Sequence, residues 1–583
     1  MRFAEPFCGF LRAVSRRCKV KSLFGTTLAV FALFLSGVLV AAQPAFPLHT
    51  SGRFIVDSNG NRVRLNGVNW YGAESTDFVV AGLQAATLPS IVQQIKSLGF
   101  NVVRLPWSNQ LYESNPVVGS YALAANPSLE GENALTILDQ VIAALTNAGI
   151  MVILDNHNSN AEWCCSTTDG NSLWYNSQYP QANWIADWQG MAQRYQSNPL
   201  VIGADLRNEP RSPATWGGSA ADDWRAAAEL GGNAVLSVNP NLLIFIEGVN
   251  YAGDLSGVAN LPVQLNVANQ LVYEAHDYGY WYSSSTLTSY SAYMNAITPN
   301  WGYLVTGSNP QPLWIGEFGT CDTANTCIDS GSNADNGYWF NMLTAFIQEY
   351  GIDWDYWAVN GTEATGSGRT YGAAETYGVL NTSWNGSANA ALTQRLQGMM
   401  AGAAANLSLV GNGSALITSP GGSVAATMTV VPGNGFTGTV NLSCSVSGSS
   451  GASDVPTCSI PSSVSVTGNA PVNTTLQVMT TTSARNAAPD HPMRRARMPA
   501  GVAAACALVL MGSFGRRGRS MLVLFFVLAV VFGLTGFSGC GGGGAANSGG
   551  GPTGTTAGDY TVQVTASANG VSAVTAQIVV DVQ

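Results

Sequence analysis

The sequence predicts a (β/α)8 TIM barrel followed by a C-terminal immunoglobulin-like β-sandwich. Three observations predict it. Between about His49 and Met400, short apolar runs alternate with amphipathic helical stretches, the pattern of a parallel β/α architecture. After Met400 the texture changes to Gly, Ser, Thr, Val and Asn with period-two alternation, the pattern of a sandwich. The chain's 583 residues are also too many for one small domain.

The expected barrel strands are Val63–Asn69, Asn101–Leu105, Met151–Asp155, Val201–Leu206, Leu242–Glu247, Leu271–Ala275, Leu313–Ile315 and Asp353–Trp357. Between and after them lie helical stretches at Leu88–Leu98, Ala134–Ala148, Trp184–Tyr195, Ala220–Val238, Asn336–Tyr350 and Ala388–Met400. Ile91, Ile95 and Leu98 recur at helical spacing, as do Leu135, Leu138, Val141 and Leu145. A doubly wound open sheet is the rival fold, but no Gly-rich phosphate loop follows the first strand. The barrel is bounded at 47–400. The sandwich begins at 405–484, with strand-like alternation at Ser423–Val431, Gly438–Ser445, Ser463–Thr467 and Thr474–Thr480. It ends at 556–583, where Tyr560–Ala566 and Val571–Val582 alternate in the same way.

Two segments differ from the rest. Arg12, Arg16, Arg17, Lys19 and Lys21 precede an apolar run from Leu23 to Val40 and small residues near Ala42. Residues 1–45 therefore read as a secretory signal, with an uncleaved anchor as the alternative. Residues 485–555 hold apolar runs at Pro499–Gly515 and Met521–Gly539 around Arg516, Arg517 and Arg519, then a Gly-rich linker. They read as a membrane hairpin inserted into the sandwich, giving possible membrane association through 499–539; a processed sorting segment is the competitor.

Charged residues make up only 10% of the chain and the net charge is -10. That balance excludes a nucleic-acid backbone binder and suits a neutral polar ligand outside the cell. Cys321/Cys327 and Cys444/Cys458 are spaced as local disulfides of an oxidising compartment, the second pair bracketing a hairpin-like stretch, while the pairing of the adjacent Cys164 and Cys165 is open. The chain has no Cys-x-x-Cys and only 4 histidines, so neither a metal nor a cofactor is expected. A monomer is expected.

Polar residues gather where the barrel strands end, which places them on one face. In chain order these are Asn69-Trp70, Arg104, Asp155-Asn156-His157, Asn208-Glu209, His276-Asp277-Tyr278, Glu317 and Trp357. Each has a structural explanation alone: Arg104 as an ion pair, His157 as a satisfied semi-buried histidine, Trp357 as core. Their joint placement favours an enzyme. Two carboxylates on one barrel face are the minimum equipment for cleaving an acetal between sugars, one donating a proton and the other facing the reacting carbon. Arg104 and Tyr278 suit a role in keeping Glu317 ionised. Asn208 can hydrogen-bond a sugar hydroxyl beside that carbon, and Trp357, Trp70 and Trp174 offer faces for pyranose C–H groups.

Together, Gly67-Val68-Asn69-Trp70, Val102-Val103-Arg104-Leu105-Pro106, Asp155-Asn156-His157, Asn208-Glu209-Pro210, His276-Asp277-Tyr278, Glu317 and Trp357 resemble glycoside hydrolase family 5, the cellulase family, across about residues 47–400. Ser237–Phe245 and Leu173-Trp174-Tyr175 make the chain most similar to bacterial secreted endo-1,4-β-glucanases. The resemblance implies a retaining double displacement on a β-glucan polysaccharide, with Glu209 as acid/base and Glu317 as nucleophile. Arg104, His157, Asn208, His276, Tyr278 and Trp357 would be the supporting residues. Trp163-Cys164-Cys165 and the residues after it look more like fungal and plant relatives, and this loop should lie near the sugar. Mannan, β-1,3-glucan or a glycoside conjugate are the alternative substrates. A non-catalytic surface carbohydrate-binding protein is the reading from another class.

Overall fold

The computed structural model describes residues 43–583 apart from 284–285, 329–333, 412–414, 449–451, 453 and 483–553. The signal at 1–45 (but for its last three residues) and the hairpin expected at 499–539 lie outside the described residues. Among the described residues, no helix is long and apolar enough to cross a membrane.

The chain opens with a hairpin, β1 (His49–Ser51) and β2 (Phe54–Val56). Then follow β3 (Asn66–Asn69), β4 (Val102–Ser108), β5 (Met151–Asn158), β6 (Val201–Asp205), β7 (Leu243–Glu247), β8 (Leu271–His276), β9 (Leu313–Glu317) and β10 (Asp353–Tyr356). These eight close into a parallel barrel in which β10 pairs with both β9 and β3. Each strand is almost wholly buried, as a sheet covered by helices on its outer face requires. The larger expected helices form at Leu88–Ser97, Ala134–Asn147, Gln181–Arg194, Trp224–Val238, Ala334–Tyr350 and Ala390–Met399. Three of these helices are capped at their starts by a side chain. Thr87 accepts from Ser90, Asp223 from Ala226, and Asn389 from Ala391 and Leu392.

The barrel interior is divided along its axis. Toward the strands' N-terminal ends, Ile153, Ile202, Phe245, Val272 and Trp314 form a buried apolar cluster with Leu48 and Ile55 of the N-terminal segment. Gly203 on β6 makes room for this packing, because a Cβ there would lie 2.4 Å from the Phe245 ring. Toward the C-terminal ends, the inward positions become Arg104, Asp155, Asp205, Glu247, Glu274, Glu317 and Asp355, all buried. A small residue again accommodates a neighbour here, since a Cβ on Gly316 would meet the Glu274 carboxylate at 1.7 Å.

After the barrel come β11 (Asn406–Val410), β12 (Leu416–Thr418), β13 (Ser423–Gly433), β14 (Gly438–Gly448), β15 (Thr457–Ser459), β16 (Ser463–Val466), β17 (Val472–Met479), β18 (Gly558–Ala568) and β19 (Val571–Val582). They form a four-stranded sheet, β11-β13-β17-β15, and a five-stranded sheet, β12-β19-β18-β14-β16. Alternate residues of both sheets, among them Met428, Val430, Leu476, Val562, Val564 and Ile578, meet in one apolar core. β18 and β19 pair with β14 and β12, so strands on both sides of residues 483–553 share a sheet. The Cys444–Cys458 disulfide links β14 to β15 and so bridges the two sheets instead of closing a hairpin. Barrel and sandwich belong to one compact unit. Gln348 donates to Asn406 and Tyr338 to the Gln577 carbonyl where they meet.

Candidate active site

Glu317 is the last residue of β9, and a β-bulge between Ala275 and His276 sets it opposite His276. Arg104, on β4, donates from Nη1 to Glu317 Oε1 at 2.7 Å, and the Tyr278 hydroxyl donates to Oε2 at 3.1 Å. Both Glu317 oxygens thus have a donor, one of them cationic. Burial raises the Glu317 pKa above the ordinary carboxylate range, and Arg104 beside it acts in the opposite direction. Arg104 itself is fully buried, which disfavours its charge. Asp155, Asp205, Glu317 and Glu274 around it outweigh that effect and hold it protonated.

Glu209 stands just beyond β6 with a positive φ of 48°, an uncommon conformation for a residue with a Cβ. Its backbone N–H donates to Glu247 Oε2 at 2.6 Å, and its carbonyl accepts from Arg211 Nη1 at 3.0 Å. A barrel-interior carboxylate and a loop cation therefore hold this backbone in place. Among the described residues, its carboxylate pairs with His276 and with no arginine. Burial, and then the negative charge of Glu317, push the Glu209 pKa well above the usual range. One oxygen of Glu209, one of Glu317 and a ring nitrogen of His276 all lie within 4.8 Å of one another.

The two histidines are neutral because burial pushes both pKa values well below the usual imidazole value. His276 Nδ1 lies 3.1 Å from Glu209 Oε1, and Nε2 lies 3.3 Å from Glu274 Oε1. His157 Nδ1 lies 2.6 Å from Asp155 Oδ2, and burial pushes the Asp155 carboxyl up to about 6. Asn208 Oδ1 accepts from Arg104 Nη2 at 3.0 Å, tying the residue before Glu209 into the same network. Chemically, the arrangement has one carboxyl poised to hold a proton and, within reach, another held by a cation.

Above these groups opens a cleft of about 450 Å³, lined by Glu209, Glu317, His157, Trp357, Tyr278 and aromatic residues from several loops. Trp357 stacks on Tyr71 with ring centres 5.2 Å apart and on His157 at 5.6 Å, which fixes its indole at the wall. The Cys164–Cys165 disulfide lines the same cleft, with Cys164 Sγ 3.3 Å from His157 Nε2.

Residues 56–363 match the family model for cellulase (glycosyl hydrolase family 5). An endoglucanase of Paenibacillus polymyxa is 40% identical over 329 residues, covering 54% of this chain and 79% of that protein. The major extracellular endoglucanase of Xanthomonas campestris pv. campestris is 33% identical, covering 60% and 70%. Its solved catalytic domain superposes with a TM-score of 0.52 at 31% identity, covering 60% of this chain and 99% of that one. The chain belongs to glycosyl hydrolase family 5, the cellulase family.

Within this family 5 glycoside hydrolase, the structure brings Glu209, Glu317, Arg104, His157, Asn208, His276, Tyr278 and Trp357 together. It does not bring Trp70 or Trp174 to the cleft. Both are fully buried: Trp70 donates its indole N–H to the Ala81 carbonyl and packs near Trp384, while Trp174 donates to Gln181 and packs near Trp224. Neither offers a face to a sugar.

Other lining residues were not singled out from sequence. Tyr280 and Trp281 follow the His276-Asp277-Tyr278 run and remain partly exposed at the rim. Tyr251, Tyr377, Arg369 and Glu375 come from other loops, and Arg369 lies over the Trp163 ring at 4.1 Å. The dense aromatic run from Tyr278 to Tyr282 was the available signal for the rim. Among the described residues, three sets are spaced closely enough to hold a cation: His157–Cys164–Cys165, Glu209–His276–Glu317 and Glu247–Glu274–His276. The two sulfurs of the first are bonded to each other, and Arg104 already neutralises carboxylates of the other two.

Proposed function

We propose that the protein is an exported endo-acting β-1,4-glucanase that works by retaining double displacement, with Glu209 as acid/base and Glu317 as nucleophile. The observation that carries this assignment is the asymmetry of the pair. The two carboxylates approach within 4.8 Å, close to the roughly 5–5.5 Å spacing of retaining enzymes, and only Glu317 is ion-paired to Arg104.

Glu209, kept protonated by burial beside a negative charge, donates its proton to the leaving glycosidic oxygen. Glu317, oriented by Arg104 and Tyr278, attacks the reacting carbon as that bond breaks. Glu209, now ionised, takes a proton from the water that releases the glycosyl group. Asn208 hydrogen-bonds the hydroxyl beside the reacting carbon, and Trp357 carries the pyranose face. His276, neutral and within reach of both carboxylates, orients the pair without adding charge.

The β-1,4-glucan substrate is supported by the endoglucanase relatives, and by a 28% identical endocellulase of Pyrococcus horikoshii superposing at a TM-score of 0.52. Variants of that archaeal enzyme have been solved in complex with cellotetraose. Export is supported by the basic and apolar N-terminal run, the local spacing of the cysteine pairs and the acidic balance.

The test is a panel of soluble polysaccharides assayed with wild-type protein and Glu317→Ala. Carboxymethylcellulose should lose viscosity faster than it gains reducing ends, and Glu317→Ala should be inactive. Cleavage of mannan but not carboxymethylcellulose would move the substrate to the other β-glycan, and activity surviving Glu317→Ala would refute the nucleophile.

A further inference from the structure

We propose that the Cys164–Cys165 disulfide is a positioning element for catalysis, fixing Asn208, which reads the sugar hydroxyl next to the reacting carbon, and His157 beside it. The proposal rests on the reading of Asn208 given above.

The sulfurs sit where two buried polar side chains end. Asn208 Nδ2 lies 3.6 Å from Cys164 Sγ and 3.5 Å from Cys165 Sγ, while its Oδ1 accepts from Arg104. His157 Nε2 lies 3.3 Å from Cys164 Sγ, while its Nδ1 meets Asp155. Each side chain is therefore tied at its inner end to a buried charged group and at its outer end to the disulfide. Asn208 is 1% exposed and His157 3%, so water cannot substitute readily at either outer end. Sulfur is a weak acceptor, which suits this task. It can hold the carboxamide rotamer with one N–H and leave the other N–H for a ligand in the cleft that both cysteines line.

The loop carrying the disulfide is mounted on the catalytic residue's own backbone. Arg211 donates to the Glu209 carbonyl at 3.0 Å, to the Ser166 carbonyl at 3.1 Å, and pairs with Asp169 at 2.5 Å. One guanidinium thus ties the residues just after the disulfide to the acid. Two thiols in place of the bond would keep the chain but free both sulfurs to rotate away. The carboxamide and the imidazole would then lose a shared stop.

The test compares a chromogenic β-cellobioside with its 2-deoxy counterpart, using full-length protein. Wild type should discriminate strongly by kcat/KM, since the hydroxyl contact strengthens in the transition state. Cys164→Ala/Cys165→Ala should reduce that discrimination by about tenfold or more through kcat, with KM moving much less. Asn208→Ala should show the same loss, and the combined variant should lose little further.

Dithiothreitol treatment of wild type covers the case of a variant that fails to fold. Its two thiols supply two electrons and two protons, cleaving Sγ–Sγ to two thiols while it closes to a cyclic disulfide. Alkylation followed by mass spectrometry then reports which cysteines opened. Loss of discrimination should track alkylation of Cys164 and Cys165 and not of Cys321 and Cys327. Equal losses on both substrates, or unchanged discrimination with Cys164 and Cys165 fully alkylated, would overturn the proposal. A wild type that does not discriminate would instead refute the role of Asn208, and this proposal with it.

Discussion

The two ends of the barrel interior are built from the same strands and obey opposite rules. At the N-terminal end, Ile153, Phe245 and Trp314 fill space within one buried apolar cluster. At the C-terminal end, Arg104 gathers Asp155, Asp205, Glu247, Glu274 and Glu317 within ion-pair distance. Burying that many carboxylates around one cation opposes folding, and Asp205, pushed up to about 7 by burial, reports the cost. The first end supplies stability and the second spends some of it to set two glutamates in different electrostatic surroundings, only one of them paired to Arg104.

Substitutions at the two ends should separate these contributions. The largest effect on activity belongs to Glu317→Ala, expected to reduce kcat by roughly 10⁴–10⁶-fold with little change in melting temperature. Arg104→Met should come next, because it removes the cation that Glu317 faces and leaves its carboxylate partners uncompensated. Loss of most activity together with about 3–5 kcal/mol of stability in denaturant unfolding is expected. At the apolar end, Phe245→Ala should cost about 3–5 kcal/mol while the folded fraction keeps its kcat within roughly twofold. An equal loss of kcat there would break the distinction between the two ends.

The smaller effects are in pH dependence. Glu209 must be protonated to act as acid and its pKa is raised, so activity should persist toward neutral pH and fall as pH rises through that value. With an aryl glycoside whose leaving group needs no proton, Glu209→Gln should abolish this alkaline limb. Glu74 offers a stability counterpart, its carboxyl pushed up to about 8 by full burial. Its folded pKa lies above its unfolded value, so the folded state binds the extra proton. That stabilisation is complete below about pH 4.5 and is lost as pH rises through 8. Melting temperature should therefore decline across this window, and Glu74→Gln should flatten the decline.

Much of this division was legible in the sequence. The eight barrel strands fall close to where short, mostly apolar runs predict them, because a strand covered on both faces is apolar over most of its length. Glu209 and Glu317 were legible because each lies within three residues of the end of such a run. Asp205, Glu247 and Glu274 were harder to read, since an acid at the end of an apolar run does not say which way it faces. Only closure of the barrel turns all three toward Arg104. Trp70 and Trp174 misled for a related reason. An indole near a strand end suits a sugar platform or a core equally, and Ala81 and Gln181, which satisfy their N–H groups inside, are not adjacent in sequence. The short strands β11, β12 and β15 carry too few residues for alternation to stand out. The Cys444–Cys458 spacing suits a hairpin, and only the sheet assignment makes it a bridge between sheets.

The central claim is that Glu317, and not Glu209, forms the bond to sugar. A 2-deoxy-2-fluoro-β-cellobioside with a good leaving group slows release of the glycosyl group more than its formation, so the intermediate accumulates. Peptide mapping of the inactivated protein by mass spectrometry should find the added mass on the peptide containing Glu317. Label on Glu209, or none despite turnover of natural substrate, would contradict the account.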